Sequence, residues 1–212
     1  MNPSRALAVV SRGVLAVVLC ALAPAAAAPA SMSGKEKLRS DMRKLWEDHI
    51  TWTRLYIVSV AAGLPDKDAT AQRLIQNQVD IGNAIKPYYG DAAGTKLTEL
   101  LKEHILGAAD LLAAAKAGNQ AEVATQKARW SKNADDIAVF LSGANPKNWP
   151  EATMKAEMKM HLDLTLKEAL DRFGGKYADD IKDYDDVHAH ILKLADTLTN
   201  GITAQFPDKV KS

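Results

Sequence analysis

Apolar side chains recur every three or four residues along nearly the entire chain after its first thirty-odd residues. This spacing places the apolar residues on one face of an α-helix, whereas a strand would need strict alternation of apolar and polar residues, which is missing here. The pattern therefore predicts an all-α protein whose amphipathic helices pack on one another.

Glycines, prolines and capping residues divide this pattern into six predicted helices. They run over residues 35–62, 67–86, 92–117, 120–142, 151–173 and 177–205. The expected stops are Gly63, Pro87, Gly118, Gly143 and Gly174, and the expected N-caps are Asp66 and Asn119. The connections are short, so we expect consecutive helices to pack antiparallel in a bundle.

Residues 1–30 are predicted to be a secretory signal peptide. Arg5 and Arg12 supply its positive charge, and the apolar run from Gly13 to Leu22 is too short to span a bilayer. The segment Ala28-Pro29-Ala30 matches an A-x-A cleavage site. We therefore expect an exported protein, periplasmic or secreted, in which residues 31–212 form a single helical-bundle domain.

The composition restricts the chemistry of the mature chain. The only cysteine, Cys20, lies in the predicted signal peptide, so disulfides and thiolate metal sites are excluded. Without Arg5 and Arg12 the charged residues leave a net charge of about −1, and this balance gives no basic surplus for nucleic acid. We expect no nucleic-acid partner and no membrane span in the mature chain, and the oligomeric state is left open.

Four of the five histidines occupy matched positions. His104 and His190 each begin the motif H-I-L-x-x-A-D-x-L, and His49 and His161 each begin H-[IL]-x-[WL]-T. The matches predict a pseudo-two-fold duplicated four-helix core made of the first, third, fifth and sixth helices. The second helix would be an addition to the first half, because 55 residues separate His49 from His104 but only 29 separate His161 from His190.

Each matched histidine lies on a mainly apolar stripe of its helix and is expected to point inward. Inward imidazoles at similar depth form metal sites in helical bundles. The candidate metal ligands are therefore His49, His104, His161 and His190. Nitrogen ligands without thiolates suit zinc, copper(II) or nickel, and the pattern does not choose among them. The fifth histidine, His188, is turned by about 200° from His190 and should face away.

Two other interpretations stay open. Histidines on apolar stripes are often hydrogen-bonded core residues, which would make the protein a small-molecule or partner-binding module. An enzyme that uses a bound metal is also possible, although the sequence has no catalytic or nucleotide-binding motif, so no nucleotide cofactor is expected. The E-x-x-H pairs of ferritin-like proteins are missing, which argues against a carboxylate-bridged di-iron site.

Two longer motifs carry a resemblance to known proteins. The residues from Trp46 to Arg54 fit W-[ED]-D-H-x-x-W-T-R, and those from Asn77 to Ile85 fit N-Q-x-D-I-G-N-A-I. Over most of its mature length the chain resembles a family of small exported bacterial helical-bundle proteins with these motifs. The resemblance implies a helical fold and assigns no activity. Asn77 itself is expected to hydrogen-bond at the surface or between helices, or to bind a ligand.

Overall fold

The computed structural model describes residues 32–211, which form six long helices and, within that range, no strand. The helices are α1 (Gly34–Ala62), α2 (Lys67–Tyr89), α3 (Asp91–Lys116), α4 (Gln120–Ala144), α5 (Glu151–Phe173) and α6 (Tyr177–Gln205). A short 3₁₀ helix, Pro207–Val210, follows α6. The all-α prediction is confirmed, while the predicted signal peptide, residues 1–30, lies outside the described residues.

Local capping signals determine where several helices begin. Ser33 and Glu36 form a capping box at the start of α1, in which each residue's side chain bonds the other's backbone N–H. Asn119 caps α4 as predicted, because its side-chain oxygen accepts the backbone N–H of Glu122 at 3.2 Å. These contacts are local in sequence, so they could be predicted from it.

The second helix begins at Lys67 as predicted, but its cap and its end differ from the prediction. Asp66 precedes α2 but makes no capping bond, because its carboxylate accepts a hydrogen bond of 2.7 Å from the Ser59 hydroxyl. Pro87 was expected to end the helix but lies inside it, and α2 continues to Tyr89. A proline this close to the end removes one helical hydrogen bond, and the turn is held because the Tyr89 ring packs on Phe206 at 5.1 Å.

The six helices close into a ring. Each helix packs extensively on the next in the chain, and α6 packs on α1. The connections of one to six residues make consecutive helices antiparallel. In addition, α1, α3 and α5 touch one another across the middle of the ring. We call these three the inner helices, and α2, α4 and α6 the outer helices.

This ring differs from the predicted four-helix core. The second and fourth helices pack as fully as other consecutive helices and are members of the ring, not additions to it. The fifth and sixth helices are full neighbours, whereas α1 and α3 touch only slightly. The pairs that the two-fold interpretation equates therefore have different surroundings, and the two-fold relation itself stays a prediction.

The interior consists of two apolar clusters of different size. The larger one contains most of the buried apolar residues, including Met42, Leu97 and Met154 of the inner helices. The smaller one is built from Ile57, Leu112 and Ala169. In each inner helix the histidine predicted as a ligand lies within the stretch that contributes to the larger cluster, since Ile50, Leu111 and Leu162 of that cluster follow the histidines of their helices. The residue of the smaller cluster lies eight positions after each histidine.

A buried ionic group ties α1 to α5 and α6. The Arg54 guanidinium donates to a carboxylate oxygen of Glu168 and to one of Asp180, both at 2.6 Å. Burial raises the pKa of Glu168 to about 7, and the hydrogen bond from Arg54 opposes this effect.

Within the described part of the chain, none of the helices has the length and apolar character that a membrane span requires.

Candidate functional site: a buried histidine cluster

The four matched histidines meet around His161. Its ring centroid is 5.6 Å from that of His49 and 6.2 Å from those of His104 and His190. None of the four is more than 6% exposed. The prediction that these side chains point inward and come together is confirmed, and we call them the histidine cluster.

The fifth histidine lies on the outside of the bundle. Nε2 of His188 is 2.8 Å from a carboxylate oxygen of Glu47, and both side chains are substantially exposed. The expectation that His188 faces away from His190 is therefore confirmed. It provides a matched control for substitutions in the cluster.

His104 is held in one tautomer by α4. Its Nδ1 is 2.9 Å from Oδ1 of Asn133, whose Nδ2 in turn donates to the backbone oxygen of Leu100 at 3.1 Å. Because the Asn133 oxygen can only accept, Nδ1 of His104 carries the proton and Nε2 holds the lone pair. That Nε2 is buried and has no hydrogen-bond partner among residues 32–211.

His49 contacts the outer helix α2 in a related way. Its Nδ1 is 3.3 Å from the side-chain nitrogen of Gln78, which also donates to the backbone oxygen of Leu74 at 2.7 Å. The Trp46 ring approaches the His49 ring edge-on at 5.7 Å. These contacts fix the orientation of the His49 imidazole.

His161 and His190 have unlike surroundings although their rings are stacked. Nδ1 of His161 is buried and lacks a hydrogen-bond partner in the described range. Nε2 of His190 donates to the backbone oxygen of Glu157 at 3.2 Å, and its Nδ1 is 3.6 Å from a carboxylate oxygen of the same residue. Both nitrogens of His190 therefore face Glu157.

Burial keeps the cluster uncharged at neutral pH. Desolvation lowers the pKa of His49 to about 3 and that of His104 to about 4. The pKa of His161 lies well below its usual value, first through burial and then through the three neighbouring imidazoles. Burial also lowers the pKa of His190, and Glu157 opposes that effect. Neutral imidazole is the form that binds a metal ion.

The side chains do not form a ready-made metal cage. Within residues 32–211, no three histidine, cysteine, aspartate or glutamate side chains have their donor atoms arranged to hold a metal ion. A shared ion would therefore require one or more imidazoles of the cluster to rotate about their side-chain torsions.

Comparison with known proteins gave no match. No protein-family model, no curated protein and no solved structure matches the chain. The resemblance to exported helical-bundle proteins, based on the two motifs, therefore stays an expectation.

A surface groove lies next to the cluster, between α4 and α5. It has a volume of about 410 Å³, with Trp130 and Leu162 among its apolar lining residues and Lys155 and Lys159 among its polar ones. The Trp130 ring is 5.2 Å from the His104 ring. One side chain therefore separates the groove from the cluster.

Sequence reasoning missed the partners that orient the histidines, namely Gln78 and Asn133. A signal for Asn133 was present, since Asn77 follows His49 by 28 residues and Asn133 follows His104 by 29. Asn77 is buried and donates to the backbone oxygen of Leu45 at 3.0 Å, so its expected role in inter-helix hydrogen bonding is confirmed.

Proposed function

We propose that the protein is an exported helical bundle that binds a transition-metal ion in the histidine cluster, with ligands drawn from His49, His104, His161 and His190. The observation that supports this most is the free nitrogen of His104. Its Nε2 holds a lone pair, because Asn133 keeps the proton on Nδ1, and it is buried without a hydrogen-bond partner in the described chain. An unsatisfied buried polar group costs about 1–3 kcal/mol, and coordination of an ion would remove that cost.

The surroundings of His104 add a second argument. A metal-binding histidine usually donates its other ring N–H to an acceptor, which fixes the tautomer and increases the basicity of the ligating nitrogen. Asn133 is such an acceptor for His104. Imidazole ligands without thiolates favour zinc, copper(II) or nickel. We assign the bound ion no catalytic reaction.

Metal titration of protein purified without a polyhistidine tag tests this proposal. We expect bound zinc, copper or nickel to raise the melting temperature, because an ion that binds only the folded state stabilises it by about 2.7 kcal/mol at one hundred times the dissociation constant. His104→Asn should weaken binding at least tenfold, and His188→Asn should leave it unchanged. The proposal would be contradicted by a protein that is purified without metal and whose melting temperature does not change when zinc, copper or nickel is added.

The groove favours a second candidate, a module that binds a small molecule while the histidines serve as core hydrogen-bonding residues. Its volume of about 410 Å³ lies within the roughly 300–1,000 Å³ of small-molecule sites. Ala156 is exposed and lines the groove, so Ala156→Trp should fill it. Loss of anilinonaphthalene sulfonate binding in this variant, together with no metal binding by the native chain, would favour the second candidate.

A further inference from the structure

Each outer helix donates one side-chain N–H to the backbone of the inner helix that precedes it. The bonds run from Asn77 to the oxygen of Leu45 at 3.0 Å, from Asn133 to that of Leu100 at 3.1 Å, and from His190 to that of Glu157 at 3.2 Å. In every case the accepting residue lies four positions before a cluster histidine. That carbonyl also accepts the histidine's own backbone N–H in the helix, and its second lone pair takes the outer donor.

The apolar layers repeat with the same offsets. The residues seven positions before the inner histidines are Met42, Leu97 and Met154, all in the larger apolar cluster. The residues eight positions after them are Ile57, Leu112 and Ala169, which form the smaller cluster. The residues four positions after the outer donors are Ile81, Ile137 and Leu194. Hydrogen bonds and packing thus agree that α1–α2, α3–α4 and α5–α6 are equivalent hairpins.

In this correspondence, His190 matches Asn77 and Asn133 and does not match the inner histidines. We infer that His190 is a positioning residue and that the metal ligands are His49, His104 and His161. The inference rests on the proposed function. It agrees with the contacts of His190, whose two nitrogens both face Glu157, at 3.2 and 3.6 Å.

A three-histidine site leaves one coordination position open. Zinc with three protein ligands takes water or another exogenous ligand in its fourth position. The site would therefore accept water, hydroxide or a small anion, whereas four histidines would close a tetrahedral site. The number of ligands thus determines what the ion can bind.

The third hairpin has a histidine, His190, where the first two have an asparagine, and this difference also accounts for the unpartnered nitrogen of His161. In the second hairpin, Asn133 donates through Nδ2 and accepts the His104 Nδ1–H through Oδ1 at 2.9 Å. His190 has the donor but no oxygen. Nδ1 of His161 accordingly has no hydrogen-bond partner among residues 32–211. An asparagine at position 190 would supply both groups.

The first test uses metal-free protein labelled with ¹⁵N in its histidines. His190→Asn should shift His161 to the Nδ1–H tautomer, as in His104, and should melt no lower than the native chain. His190→Leu, which has neither donor nor acceptor, should melt lower. His188→Asn is the control and should alter neither property. A His190→Asn variant that melts as low as His190→Leu, with the His161 tautomer unchanged, would overturn the assignment of His190 to the outer donors.

The second test uses Co²⁺, whose visible spectrum reports its coordination. Fixing the tautomer of a ligand should strengthen binding, so we expect His190→Asn to bind Co²⁺ up to about tenfold more tightly than the native chain, since a partner of a ligating histidine changes affinity about 10–100-fold. His161→Asn should weaken binding at least tenfold. Azide should change the spectrum of bound Co²⁺ by occupying the open position.

The outcomes separate this inference from the proposed function. If His190→Asn loses Co²⁺ as strongly as His161→Asn, or azide leaves the spectrum unchanged, the three-ligand site is wrong and a closed four-ligand site replaces it. If the native chain binds none of Co²⁺, Zn²⁺, Cu²⁺ and Ni²⁺, the proposed function and its ligand set fail together. The role of His190 as an outer donor is then decided by the metal-free measurements.

Discussion

Neutral imidazoles dominate the chemistry of single side chains in this bundle. His49, His104 and His161 are buried in the interior of the bundle, and burial lowers the pKa of each. Such groups stabilise the fold only while they are unprotonated. The interior should therefore be sensitive to acid well before most carboxylates titrate.

The stability of the metal-free protein should fall as the pH drops below about 6.5, the usual pKa of histidine in an unfolded chain. The folded-state pKa values are lower, about 3 for His49 and about 4 for His104. Between these values the unfolded chain binds more protons, so stability is fully present above pH 6.5 and is lost toward pH 4. Each pKa unit corresponds to about 1.4 kcal/mol. Urea unfolding at pH 7.5, 6.5 and 5.5, with a chelator present, measures the effect.

One substitution tests the source of this pH dependence. His104→Asn should reduce the slope of the unfolding free energy against pH, because it removes one buried imidazole. Equal stability of the native chain at pH 7.5 and pH 5.5 would show that the buried imidazoles do not resist protonation.

Among the helices, α2 and α3 approach each other backbone to backbone at two glycines. A Cβ atom added to Gly82 would lie 2.6 Å from the backbone oxygen of Gly94, and one added to Gly94 would lie 2.6 Å from that of Gly82. Backbone atoms cannot move aside as a flexible side chain can. This contact therefore sets the distance between α3, which carries His104, and α2, whose Gln78 contacts His49.

Gly82→Ala should separate α2 from α3 and destabilise the protein by about 1–3 kcal/mol, as overpacking of a core does. Gly143→Ala is the matched control in α4, where an added Cβ would meet nothing within 4 Å. Alanine is the better helix former by about 1 kcal/mol, so the control should be neutral or more stable. Thermal and urea unfolding of both variants measures this, and equal loss in the two would refute the role given to the contact.

Helix ends and inward faces could be predicted because their signals are local. The cap at Asn119 and the apolar stripe around His161 are examples. The prediction that α2 ends at Pro87 was wrong because contacts from Phe206, which is distant in sequence, hold the last turn of the helix. The contact between Asn133 and His104 could not be predicted, because the sequence does not distinguish a helical amide that faces water from one that faces an imidazole.

The motif shared by His104 and His190 led the sequence-based prediction to equate an inner helix, α3, with an outer helix, α6. Its aspartates also have different settings, since Asp196 accepts hydrogen bonds from Arg39 and Arg43 whereas Asp110 is 4.0 Å from Arg129. Local similarity could therefore not reveal the three hairpins. The regular spacing of an inner histidine and an outer donor, as for His104 and Asn133, was the more informative signal.

For the bundle as a whole, closure of the ring brings the two ends of the described chain together. The 3₁₀ helix after α6 packs against α1, and its Val210 is buried. Termini that lie close together tolerate circular permutation. The loop at Gly118, where an added Cβ would meet nothing within 4 Å, offers a place for new ends.

A permutant that joins residue 211 to residue 32 through a short glycine-serine linker, and begins at Gly118, should fold and melt cooperatively. Such openings succeed at exposed loop tips and fail within packed elements. A permutant opened between Leu162 and Asp163, inside α5, is the comparison and should not fold. Circular dichroism and thermal melting decide the result, and an unfolded Gly118 permutant would mean that the ends cannot be bridged as described.

The closed ring also fixes an order of events during synthesis. Chains are made from the N-terminus, and α6 is the last helix to appear and the one that packs on α1. Until α6 docks, the bundle is open on the side where His190 of α6 stacks on His161, so water can reach the His161 imidazole. An ion could load at that stage without crossing a packed wall. In the finished protein an ion would leave only when an element that covers the cluster opens, so its residence time would depend on the rate of that local opening and not on affinity alone.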